Sequence, residues 1–152
     1  MKSSKLEHTE QKFEKSTNYV ALYSYVNIEL DNYIYLLNSI DERLQKPIKE
    51  LNLIITYNKF ITGLNNYVEK LLLEDFYNVK DFIFNMKKTI KKYEKGLDIY
   101  FIHNPNKKQE FDDRVNEINR LIMDNETFID KHIDRAIDYI NEYEKTFGLR
   151  VD

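Results

Sequence analysis

Three glycines and two prolines are the only such residues among the 152 of this chain, and that scarcity constrains the fold more than any other feature. Glycine and proline end helices and build tight turns. A chain with so few of them has room for few turns and must run in long elements. The apolar residues decide which kind. They recur at three- and four-residue steps and nowhere alternate with period two for long, which is the pattern of amphipathic helices. The expected fold class is all-α: an antiparallel helical bundle, most simply of four helices, with a long C-terminal helix.

The expected helices span residues 18–45, 47–73, 78–102 and 106–147. Residues 1–15 are polar and read as a flexible N-terminal arm, leaving 16–148 as a single helical-bundle domain. Ser16, Thr17 and Asn18 can each cap the first helix, whose stripe is Tyr19, Tyr23, Val26, Leu30, Tyr33, Leu37, Ile40 and Leu44. Lys46-Pro47 marks the first break, because proline disfavours helix at the residue before it. No glycine closes a helix there, so one helix kinked at Pro47 fits the same residues. The second stripe is Ile48, Leu51, Ile54, Ile55, Ile61, Leu64, Val68 and Leu72, with Gly63 inside it. Asn78 is the expected cap of the third helix, with Asp81 at its third position and Tyr77 stapled to Phe82. That helix buries Val79, Phe82, Ile83, Met86, Ile90, Tyr93 and Leu97 and frays within Ile99–His103. Asn104-Pro105-Asn106 starts the fourth helix, and Gly148 stops it.

Composition narrows the function classes. With no cysteine there are no disulfides, thiolate metal sites or cysteine nucleophiles. No apolar run reaches the ~18 residues of a membrane span, and the N-terminus lacks the apolar stretch of a signal peptide, so a cytoplasmic protein is expected. Lys outnumbers Arg by 18 to 5, a bias typical of AT-rich genomes such as those of low-GC bacteria and their phages. Catalytic motifs fail on spacing. The residues three before His8, His103 and His132 are Lys5, Tyr100 and Ile129, so no Glu-x-x-His pair exists. No phosphate-binding glycine loop and no Gly-x-Ser-x-Gly occurs either. The expectation is a non-enzymatic protein without catalytic residues, cofactor or metal.

Four features remain. Glu126, Asp130, Asp134, Asp138 and Glu142 follow one another at four-residue steps, which spaces them ~6 Å apart along a helix. Like charges at that spacing cost a few tenths of a kcal/mol per pair, a cost that a basic partner would relieve. Lys87, Lys88, Lys91, Lys92 and Lys95 form a basic arc opposite an apolar stripe, suited to phosphate without base readout. Asn125, His132 and Tyr139 are seven apart and place polar groups toward the apolar seam, either to fix register or to line a small-ligand pocket. Tyr25 and Tyr35 fall off the first helix's stripe, with Ile28 near Tyr35, and such exposed aromatics suit an interface.

The expected function is therefore a protein–protein interaction module, a small regulator or inhibitor of phage or mobile-element type. Its acidic ladder would meet another protein with a basic surface. Nonspecific nucleic-acid binding through the lysines and ligand binding at the polar seam are the rival readings. A fourth helix of some 60 Å, at ~1.5 Å per residue, is hard to cover within one chain of this size, so a homodimer is also expected. No membrane association is.

Overall fold

The computed structural model describes residues 18–57 and 65–147. Six helices and no strand occur among them: α1 Asn18–Asn38, α2 Ile40–Arg43, α3 Gln45–Tyr57, α4 Asn65–Gly96, α5 Asp98–His103 and α6 Pro105–Phe147. The fold is all-α and ends in a long helix, as the periodicity requires. The arm at 1–15, the caps Ser16 and Thr17, the stripe residues Ile61 and Leu64, Gly63 and the stop at Gly148 lie outside the described residues.

The first correction concerns the position of the break expected at Lys46-Pro47, which comes just ahead of the proline. The helix is interrupted at Ser39 and Leu44, whose backbones sit at φ −102°, ψ 0° and φ −94°, ψ 3°. Helical hydrogen bonds carry across both points. Arg43 N–H donates to Ser39 O at 3.2 Å, Leu44 N–H to Ile40 O at 3.0 Å, and Ile48 N–H to Leu44 O at 3.0 Å. Pro47 falls in the first turn of α3, where a missing N–H costs little because those donors have no intrahelical acceptor anyway. Its ring is buried.

The second correction concerns Asn78, which is not a cap. It lies inside α4 and is exposed, and the helix runs unbroken through 73–78. Glu74 to Asn78 contains neither glycine nor proline, while Leu73, Phe76, Val79, Ile83, Met86 and Ile90 form one continuous buried stripe. Burying that stripe outweighs the few tenths of a kcal/mol by which asparagine disfavours a helix interior. The third correction is at 99–103, which does not fray. α4 ends at Gly96, Leu97 turns the chain at φ −106°, ψ 4°, and α5 follows with Phe101 buried.

Asn104 then separates α5 from α6. Its side-chain Nδ2 donates to Tyr100 O at 2.8 Å, and its carbonyl accepts from Lys108 N–H at 3.2 Å, the first helical bond of α6. Pro105, rather than Asn106, is the first residue of α6, with its φ already helical.

The chain forms two compact units, one of 18–37 and Phe84–Leu121, the other of 38–83 and 122–147. In the first unit, α1, the last part of α4, α5 and the start of α6 meet on aromatic rings. Tyr23 packs edge-on to Phe101 at 6.1 Å, and Phe101 lies 5.2 Å from Phe111. Tyr25 meets Tyr93 edge-on at 6.2 Å. The Tyr23 hydroxyl donates to Glu110 Oε1 at 2.6 Å. That bond, followed by the nearby Lys107 and Arg114, holds the Glu110 carboxyl below its usual range, while burial raises the tyrosine. In the second unit, Leu44, Leu51, Phe76, Ile83, Ile129 and Ala136 are almost wholly buried, and Phe76 of α4 stacks on His132 of α6 at 6.0 Å.

Candidate functional site

The acidic ladder occupies the exposed side of α6 within the second unit, and the structure divides it. Lys80 on α4 reaches Asp130 Oδ1 at 2.7 Å, and the bond raises the lysine's pKa, with Asp130 and Glu126 adding Coulombic support. Both Glu126 and Asp130 are half-buried. Asp134, Asp138 and Glu142 are exposed and form no ion pair among the described residues. Lys80 is a neighbour of the ladder that sequence reasoning missed. The available signal was its position as the sole cation between Lys70 and Lys87.

The lysine arc belongs to the first unit. Lys87, Lys88, Lys91, Lys92 and Lys95 are all exposed, and Lys88 Nζ lies 5.5 Å from the centre of the exposed Phe84 ring. Glu94, the one acid inside this run, is engaged elsewhere. It accepts from Lys108 at 3.4 Å, and Lys108 also holds Asp112 at 2.6 Å.

Asn125, His132 and Tyr139 are half-buried in the second unit, between core and solvent as a seam position should be. His132 is the chemically unusual member. Its ring stacks on Phe76 and meets Phe128 edge-on at 4.8 Å. Its Nδ1 is buried with no hydrogen-bond partner among the described residues. Burial first, then the charges of Arg135 and Lys131, lower its pKa, so the imidazole is neutral at pH 7. An open surface depression of about 400 Å³ in this unit is lined by Glu42, Arg43, Lys46, Lys49, Glu50 and Leu53. None of the three seam residues lines it. Among the described residues no cluster of three histidine or carboxylate side chains could hold a metal ion, and no helix is long and apolar enough to cross a membrane.

On α1, Tyr25, Ile28 and Tyr35 are exposed, in agreement with their place off the apolar stripe. Comparison with known proteins adds nothing to these surfaces: the chain matches no known protein family, no curated protein and no solved structure.

Proposed function

We propose that this chain is a non-enzymatic protein-interaction module, a small regulator or inhibitor that captures a partner with a basic surface along Asp134, Asp138 and Glu142. One observation carries the reading. Lys80 neutralises the upper part of the ladder at Asp130, whereas the three acids below it stay exposed and unpaired among the described residues. Each like-charge step costs about 0.2–0.5 kcal/mol in the free helix. A basic partner recovers that cost and is steered onto the strip by its field. Self-association into a homodimer belongs to the same proposal, independent of partner capture, but not on the ground of an uncovered α6, because a single chain buries that helix's seam from Phe111 to Ile140.

The test is affinity capture from the native host followed by mass spectrometry, comparing the wild type with a D134N/D138N/E142Q triple variant. The variant should unfold at the same temperature or higher, because repulsion has been removed, while losing the retained basic protein. Unchanged capture by the variant refutes the acidic strip. The lysine arc supports a second reading, nonspecific binding of nucleic-acid phosphates, because Glu94 is drawn away to Lys108. That reading expects a gel shift with duplex DNA or RNA that weakens steeply with salt and disappears on neutralising Lys88, Lys91, Lys92 and Lys95. No shift at low salt ends it.

A further inference from the structure

The exposed face of α1 is sparsely charged in a heavily charged chain. Charged residues make up 32% of the sequence, yet the 21 residues of α1 carry only Glu29 and Asp31. Ala21, Ser24, Tyr25, Ile28, Asn32 and Tyr35 are all exposed, and at ~100° per residue they share an arc of about 100°. None of the six is charged. Asp31 lies at the rim of that arc, and Arg114 neutralises it through an Nε–Oδ1 contact of 3.0 Å. The large apolar residues are well out in solvent: Ile28 is 69% exposed, Tyr35 68%, Val20 53% and Tyr25 51%. Tyr25 is nonetheless held in place by its edge contact with Tyr93, which reduces the entropy lost when it is covered.

We propose that this face is where two copies of the chain pair, through antiparallel α1 helices related by a two-fold axis at Ile28. The proposal rests on the reading of the chain as a homodimeric interaction module and names the interface. Two features select a second copy as the occupant. A two-fold interface brings two identical faces together, so a net charge on the face would repel itself, and the six residues of this face carry none. The residues also complement themselves on inversion. About Ile28, position 28 + n meets 28 − n, so Tyr35 falls opposite Ala21 and Asn32 opposite Ser24. Large meets small, and an amide meets a hydroxyl. A parallel pair would set Tyr35 on Tyr35 and Ala21 on Ala21, overpacked at one end and empty at the other.

The area is sufficient for a modest dimer. At about 200 Å² for a fully exposed tyrosine, Tyr25, Ile28 and Tyr35 expose on the order of 350 Å², and the exposed Ala21, Ser24 and Asn32 add to it. Two copies then bury roughly 1,000 Å², the lower edge of specific interfaces. The dimer should be of micromolar strength.

Sedimentation velocity on the full chain, over a concentration series through the micromolar range, tests the pairing. The wild type should pass from monomer to dimer, and I28D should raise the dissociation constant by more than about tenfold. Because Ile28 is exposed, I28D should keep its helical circular-dichroism signal and its melting temperature. The absence of cysteine allows a second measurement with single-cysteine variants under mild oxidation. I28C should form a disulfide-linked homodimer. A21C and Y35C should each fail to link to themselves but should link to each other when mixed. A wild type that stays monomeric at every concentration overturns both the pairing and the homodimer reading. A dimer that survives I28D, or self-linking of Y35C, overturns the α1 interface while leaving the homodimer standing on another surface. Capture of the basic partner should be the same in I28D as in the wild type.

Discussion

Replacing His132 by phenylalanine should stabilise the protein, and by more in mild acid than at neutral pH. The substitution keeps a ring between Phe76 and Phe128, so the aromatic contacts, about 0.5–1.5 kcal/mol each, are retained. It removes a buried Nδ1 that has no partner, a defect that costs about 1–3 kcal/mol. The residue is half-buried and phenylalanine is slightly larger, so the lower end of that range applies. The net gain at pH 7.5 should be about 1 kcal/mol, or about 2–4 °C in melting temperature for a chain of this length. The pH dependence follows from the lowered pKa. Below the ordinary histidine value of 6.5 the unfolded chain binds a proton that the folded chain still refuses. The wild type therefore loses stability as pH falls from that value toward the folded pKa, at no more than about 1.4 kcal/mol per pH unit. Below the folded pKa the loss levels off. H132F lacks this loss, and the carboxylates, common to both proteins, cancel in the difference. Thermal or urea denaturation of both proteins from pH 5 to pH 8 measures it. A gap that does not widen on acidification shows that the ring titrates alike folded and unfolded. A loss above about 1 kcal/mol at pH 8 shows that Nδ1 has a partner. Either result refutes the reasoning.

Two further outcomes follow from the packing. N78A should be neutral or stabilising by a few tenths of a kcal/mol, because Asn78 is an exposed residue inside α4. A true helix cap would instead lose about 1 kcal/mol in chemical denaturation. K80A should cost less than about 1 kcal/mol, since Lys80 and Asp130 are both substantially solvent-exposed, and the cost should shrink as salt is added. A loss that ignores salt would show that the lysine stem, not its charge, supports α4 against α6.

Helix type and burial were legible because they depend on local periodicity. The stripes drawn through Tyr19, Tyr23, Val26 and Leu30, and through Ile118, Ile122, Ile129 and Ile133, are buried as expected. A residue's face on a helix follows from its position in the repeat alone. The off-stripe exposure of Tyr25, Ile28 and Tyr35 was legible for the same reason. Helix ends were less so. Asn78 carries boundary chemistry, but whether a boundary forms depends on whether the apolar stripe continues past it, and at 73–79 it does. Phe101 was read as part of a fraying end, because Tyr23, whose ring packs edge-on against it, lies far away in sequence.

By itself, then, the sequence determined an all-helical chain, the inward face of each long helix and the spacing of its charges along them, all consequences of a 3.6-residue period in a chain nearly free of glycine and proline. Only the tertiary structure decided which charges are spent. Lys80 takes Asp130, Arg114 takes Asp31 and Lys108 takes Glu94, while Asp134, Asp138 and Glu142 form no ion pair among the described residues. Those pairings join residues up to 83 positions apart. They are fixed by how the helices pack, which no local pattern encodes.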